Sequence, residues 1–377
     1  MKARLLTAVV FVAAIILVSA AALNLGTHAQ SGNTNSSRQR VANPSPSPTP
    51  RSQDEETLRS DEVVRVETNL TNVFFTAADK HKRFVSSLKR EDLRILEDGV
   101  PQQIFTFQQN IDLPLSLAIL IDTSRSEERT LPEEKVAAQA FLEAVMRPQK
   151  DEAAVVSFTG DSTLEQGLTG NLPRLRRAIE RVEYVPPSGL IGGGVVVGGT
   201  PPISDSQQML AGSTAIWDAV FTTSNEVMRD SAEHTRRAII LLTDGQDTSS
   251  QVHMGEAINS AVKVDALVYA IGIGDRYSYG VDEGSLRKIT EATGGRAYFP
   301  RNESELRDAF AQIQRDLREQ YLIAYSPSNK TRDGSFRRVV IEISNPEFQK
   351  ESLKLTYRPG YFAKSPASIR SNTSKKP

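Results

Sequence analysis

The chain of 377 residues is predicted to be α/β, with a doubly wound, mostly parallel sheet inserted in or flanked by a small antiparallel β-sandwich. Three observations predict this. Between residues 115 and 318, short apolar runs alternate with stretches of helical period, the pattern of strand–helix–strand crossovers onto a sheet covered on both faces. On either side lie strand-like stretches with Asp-Gly turns, too small to form a stable core alone and therefore expected to pair with each other. Finally, 39% hydrophobic and 24% charged usage is ordinary for globular proteins and argues against wholesale disorder or a polytopic membrane protein.

Taken in order, the elements begin with an address. Met1-Lys2-Ala3-Arg4 is a basic head, and no charge follows from Leu5 to Leu23. Residues 1–29 read as a secretory signal with a small-residue cleavage site at Thr27-His28-Ala29, or as an uncleaved N-terminal membrane anchor, because about 19 apolar residues can span a bilayer. Either reading places the rest outside the cytoplasmic membrane: secreted, periplasmic or anchored. Residues 30–60 are polar and Pro/Ser-rich, a linker that samples extended polyproline II. A β segment over 61–110 follows, with strands expected near 63–70, 72–77, 93–97 and 103–107.

The α/β domain is expected over 113–318. Residues 115–121 are continuously apolar, as befits a strand buried on both faces. A helix over 133–146 has apolar positions at Val136, Ala137, Ala140, Phe141, Ala144 and Val145. Then come a strand at 153–158, helices at 172–182 and 215–229, and a central strand at 238–242. A helix at 254–263, a strand at 266–271, a helix at 285–293, a short strand at 297–299 and a last helix at 304–318 complete it. A second β segment, 320–363, should pair with the first, and 365–377 is a polar tail. The Gly-rich stretch 186–210 is a long insertion, either a shaper of partner contacts or a surface excursion.

Composition removes many chemistries. The 45 basic and 46 acidic residues nearly cancel, so no global field attracts nucleic acid or an anionic membrane, and membrane contact is expected only through the N-terminal segment. The absence of cysteine excludes disulfides, thiol nucleophiles and zinc-thiolate sites, and the four histidines lack zinc-like spacing. Gly272-Ile273-Gly274 lacks the third glycine of a dinucleotide fingerprint, the Gly-rich 192–199 has no following Lys-Ser/Thr, and Ser124 has no nucleophile elbow.

The residues able to carry chemistry sit at strand ends, where open α/β sheets bind ligands. The first strand of the domain runs into Asp122-Thr123-Ser124-Arg125-Ser126, a carboxylate and two hydroxyls at alternate positions: hard oxygen donors suited to Mg²⁺, Mn²⁺ or Ca²⁺. Alone, such a pattern arises by chance in about one chain in ten of this length and reads equally as a Ser turn or helix cap. Two features strengthen it. The central strand ends in Thr243-Asp244-Gly245, and Gly212-Ser213-Thr214-Ala215 leads into a helix with the Thr214 hydroxyl at the junction.

With these three parts in this order, the sequence resembles the von Willebrand factor type A family over about residues 113–318. The surrounding Gly-Ser-Thr-Ala-Ile-Trp-Asp-Ala-Val and Leu-Leu-Thr-Asp-Gly-Gln-Asp-Thr are similar to the family's text. The resemblance implies a metal-ion-dependent adhesion site of Asp122, Ser124, Ser126, Thr214 and Asp244. Ser124, Ser126 and Thr214 would bind the divalent cation (Mg²⁺ first, Mn²⁺ or Ca²⁺ as alternatives), while Asp122 and Asp244 would act partly through water. It further implies a non-enzymatic protein-binding module whose ligand presents an Asp or Glu carboxylate. Signal, Pro/Ser linker and flanking β segments together resemble the bacterial secreted or envelope "VWFA-related" proteins. Two other readings stand beside this one: an envelope assembly component that does not rely on the metal, and an unrecognised hydrolase with Asp122 or Asp244 as base.

Overall fold

The structure is a computed structural model that describes residues 70–365 apart from 82, 110–111, 185–212, 233–234 and 275–279. All of these belong to one compact unit, Arg65–Pro377. The signal or anchor at 1–29, the linker at 30–60, most of the strand expected at 63–70, the Gly-rich stretch 186–210 and nearly all of the tail 365–377 lie outside the described residues. Among the described residues no helix is long and apolar enough to cross a membrane.

The central layer is a six-stranded sheet. Its strands are β5 (Leu115–Asp122), β6 (Glu152–Phe158), β7 (Ser162–Thr169), β8 (Arg236–Thr243), β9 (Ala266–Gly272) and β10 (Ala297–Tyr298), in spatial order β10-β9-β8-β5-β6-β7. All neighbours run parallel except β7, which returns antiparallel on β6. Every residue of β5 is buried, and the alternation of side chains across a strand explains why. Leu117, Ile119 and Ile121 enter one core with Phe141, Leu175 and Phe310, from helices α1 (Leu131–Val145), α2 (Leu172–Arg181) and α6 (Glu303–Arg318). Ala118 and Leu120 enter the other, with Ile216, Ala257 and Leu286 from α3 (Ile216–Thr222), α4 (Met254–Lys263) and α5 (Glu283–Thr293). A strand with helices on both faces has no polar side, so its sequence is a continuous apolar run.

Two details depart from the sequence reading. The helix expected at 215–229 keeps regular α geometry only to Thr222, then widens over Thr223–Val227 and tightens over Met228–Asp230. The Ser224 hydroxyl and the Asn225 amide donate to the carbonyls of Val220 and Phe221 at 2.7 and 3.0 Å, competing with the backbone ladder. In α1 the buried stripe is Leu131, Glu134, Ala137, Ala138, Phe141, Leu142 and Val145, whereas Val136 is 63% exposed. The stripe is rotated from the one read in sequence, and a glutamate occupies one of its positions.

Strands from before and after this layer pair with each other. Before it come β1 (Thr71–Ala78), β2 (Leu93–Glu97), β3 (Val100–Gln102) and β4 (Ile104–Gln109); after it come β11 (Tyr321–Tyr325), β12 (Phe336–Ile343), β13 (Lys354–Tyr357) and β14 (Gly360–Phe362). They form two four-stranded sheets, β13-β1-β11-β4 and β14-β12-β2-β3, each drawing on both ends of the chain. Val73, Phe75, Ile95, Tyr321, Ile323, Val339 and Ile341 make the core between them.

Candidate metal centre

Chain order fixes where a site can form. From β5 the chain moves to β6 on one side and later crosses back to β8 on the other. Such a reversal opens a crevice at the carboxyl ends of the two central strands. Asp122 is the last residue of β5, and Asp244 directly follows β8.

Local bonds set both carboxylates in place. The Thr243 hydroxyl donates to Asp122 Oδ2 at 2.6 Å across the strand ends, and Ser124 N–H donates to Asp122 Oδ1 at 2.9 Å. The Ser124 and Ser126 hydroxyls are 3.1 Å apart, and Ser126 bonds Asp244. Gln246 N–H donates to Asp244 Oδ1 at 2.9 Å. Gly245 turns the chain at φ +84°, where a Cβ would stand 2.9 Å from Leu286 Cγ, so only glycine fits without strain. Thr214 is buried, and its backbone is docked on the loop after Asp244: its N–H donates to Thr248 Oγ1, and its carbonyl accepts from Thr248 and Ser249 N–H. Asp247 and Asp218 secure that loop, the first by accepting from Ile216 N–H at the start of α3, the second from Gln251 and Val252 N–H.

Asp122, Ser124, Ser126 and Asp244 therefore converge, with Thr214 tied to the same loop. The structure adds two residues that the sequence reading missed. Glu127, in the short turn Arg125–Glu127, and Glu134, in the first turn of α1, are both fully buried. One carboxylate oxygen from each of Asp122, Glu127 and Asp244 lies within 4.8 Å of the others. A signal existed in the sequence: Leu131, Glu134, Ala138, Phe141, Leu142 and Val145 follow the i, i+3, i+4 rule, which puts Glu134 on the core stripe.

The electrostatics are those of a charge without a counter-charge. Burial raises Asp122 to about 7, against hydrogen bonds from Thr243 and Ser124, with Asp244 adding to the rise. Burial, then Glu134 and Asp122, push Glu127 well above the usual range, and burial takes Glu134 to about 7. Burial also raises Asp244. The main groups acting on Asp122, Glu127 and Glu134 are carboxylates and hydroxyls, none basic. No N–H donor reaches Glu127 Oε1 or either Glu134 oxygen, and the Glu127 and Glu134 carboxyls lie at hydrogen-bonding distance from each other, so one can bond the other only by keeping a proton. Buried, uncompensated carboxylates demand a proton or a cation. The donors are all oxygen, which suits a hard divalent ion and fits neither a soft metal nor a cluster.

Fold and site together define an α/β module with a buried cluster of oxygen donors, suited to a divalent cation, at its topological switch point. Two models of the von Willebrand factor type A domain match the chain, over residues 117–246 and 203–312. Residues 117–312 of the chain are a von Willebrand factor type A domain. No curated protein sequence matches it. Among solved structures it is similar to the conserved hypothetical protein BatB from Bacteroides thetaiotaomicron (16% identity, TM-score 0.40, 54% of this chain and 98% of that one). It is also similar to a von Willebrand factor type A protein from Catenulispora acidiphila (14%, 0.43, 78% and 73%). A third similar structure is proximal thread matrix protein 1 from the mussel byssus, with a zinc-occupied MIDAS motif (18%, 0.42, 58% and 49%).

Proposed function

We propose that this chain is a non-enzymatic, metal-ion-dependent protein-binding module acting outside the cytoplasmic membrane. The observation that carries the reading is the buried oxygen-donor set at the switch point, where hydroxyls and other carboxylates are the main groups acting on Asp122 and Glu127. Asp122, Ser124, Ser126, Thr214 and Asp244 would hold the divalent cation, with Mg²⁺ the expected ion. When bound, the cation supplies an electrophilic centre for an oxygen ligand, here an Asp or Glu carboxylate of a protein partner. The chain's own part is to hold the hydroxyls against the carboxylates and to keep bulk water from the strand ends. The uncharged run from Leu5 to Leu23 behind a basic head supports export.

The test is capture from envelope extract by the full chain, by Thr214→Ala and by chelator-treated protein. Thr214→Ala removes one neutral donor and leaves the backbone bonds to Thr248 and Ser249 intact, so its stability loss should stay within the ~0.5–3 kcal/mol of ordinary substitutions. Captured partner should fall far more than stability does. Chelator should mimic the variant, and moderate salt should not, because salt screens exposed charges rather than a coordinate bond. Equal capture in all three samples would favour the second reading, an assembly component indifferent to the cation.

A further inference from the structure

We propose that Glu127 is a ligand of the same cation, an anionic donor additional to Asp122, Ser124, Ser126, Thr214 and Asp244. This rests on the reading that a cation occupies that site. Glu127 directly follows the second serine of the Asp-x-Ser-x-Ser run, so any atom it offers comes from the same turn as the hydroxyls. The turn is closed by Glu127 N–H donating to the Ser124 carbonyl at 3.1 Å. The side chain points inward and is fully buried. The Thr130 hydroxyl donates to Oε2 at 2.7 Å, which orients the carboxylate; no N–H or hydroxyl donor reaches Oε1, and the one side chain beside Glu127 that could bond it is another acid, Glu134.

Distance decides between a ligand and a bystander. Donors bonded to one hard cation at about 2.1–2.4 Å lie between about 3 and 4.8 Å from one another. The oxygens of Asp122, Glu127 and Asp244 fall within that 4.8 Å limit, and Glu134 is not among them. A buried carboxylate left without a counter-charge is costly, and one cation can compensate all three groups. Three carboxylates on one divalent ion also change what the site needs from outside. The chain itself supplies the ion's counter-charge, so the cation is held in the absence of any partner, and a partner's oxygen completes its coordination rather than its charge.

The experiment measures Mn²⁺ binding by calorimetry to the full-length wild type, Glu127→Gln and Asp122→Ala, with the melting temperature of each recorded in chelator. Glutamine keeps the size of glutamate and removes the charge, so the cation-free melt should match or exceed that of wild type. The Mn²⁺ Kd of Glu127→Gln should weaken at least tenfold; a smaller change overturns the proposal. Asp122→Ala should lose binding altogether. If it binds as wild type does, the site reading itself fails; if it loses binding while Glu127→Gln keeps it, only the role of Glu127 fails. A second measurement needs no variant. In wild type labelled with ¹³C at glutamate side-chain carboxyls, stoichiometric Mg²⁺ should move at least one of those resonances. Stationary glutamate resonances, with aspartate resonances moving under the same titration, would overturn the assignment.

Discussion

At the scale of the residue, Asp122 does two jobs that ordinarily exclude each other. It ends a fully buried strand, where an ionised group is expensive, and it accepts two hydrogen bonds, which favour the ionised form. Burial prevails in the cation-free protein, and Asp122 and Glu134 both reach about 7. An acid whose folded value lies above its unfolded one stabilises the fold below the unfolded value, about 4, and loses that contribution as pH rises through the folded value. The cation-free protein should therefore lose thermal stability between about pH 4 and 7. Saturating divalent cation should remove the loss, because the ion takes the place of the proton. Melting curves from pH 5 to 8, with chelator and with Mg²⁺, check this. At fixed neutral pH, cation at 100 times its Kd should stabilise the wild type by about 2.7 kcal/mol, by mass action on the folded state. Asp122→Ala should show no such increment while remaining folded, and an equal increment in both would remove the site. Asp122, Ser124, Ser126, Thr214 and Asp244 became candidates in the sequence because carboxylates and hydroxyls at strand tips form a local pattern and that pattern resembles a known family's. Glu127 gave no such sign, because a charged residue reads as surface until the packing around it is known, and for Glu134 the only sign was its place on the helical stripe of α1.

At the scale of the element, the strands of the central sheet were legible where both faces are covered, since β5, β6, β8 and β9 carry nearly unbroken apolar runs. The strand β7 was not read, because it lies at the sheet edge with exposed and half-buried residues and no apolar run. The end of the sheet opposite the site is held by a different device. Asp151 accepts from Leu115 N–H at the start of β5, from the Arg147 backbone and guanidinium just beyond α1, and from Arg318 at the end of α6. Its side chain is fully buried. Burial opposes its ionisation, yet the hydrogen bonds from Arg147 and Arg318 prevail and bring it down to about 2. This contribution is present above the unfolded value near 4 and is lost as pH falls through about 2. Asp151→Asn leaves Arg318 without its carboxylate and should cost about 3 kcal/mol, the magnitude of breaking a buried pair. Denaturant unfolding at pH 7 checks it, and the gap between variant and wild type should narrow toward pH 2.

At the scale of the molecule, the α/β class was readable because strand–helix alternation is a local signal repeated many times. The interleaving of the two flanking β segments was less so, since which strand pairs with which is decided by contacts between residues more than 200 positions apart, such as Tyr325 with Glu97. The sandwich is also seated on the α/β layer at particular points. Arg296 donates to the Thr356 hydroxyl at 3.0 Å, Arg358 pairs with Asp265, and Lys263 stands over the Phe362 ring. The tightest seat is Gly294, the left-handed residue that ends α5. Its φ is +85°, and a Cβ there would lie 2.3 Å from the Arg358 backbone nitrogen. Both facts require glycine: the first costs another residue roughly 1–3 kcal/mol in strain, and the second forces apart two backbones that have no flexible side chain to yield. Gly294→Ala should thus destabilise the chain by about 2–5 kcal/mol, strain and overpacking together. The neighbouring Gly295 packs on the Val268 carbonyl, near the start of β9, while the candidate metal centre lies at the opposite, carboxyl ends of the strands. The variant should melt well below the wild type in chelator, yet gain the same increment from saturating Mg²⁺. Calorimetric melts of both proteins, with and without the ion, separate these quantities. A Gly294→Ala protein whose Mg²⁺ increment vanished along with its stability would show that the sandwich seat and the metal centre are one cooperative unit, rather than two independent supports of the same sheet.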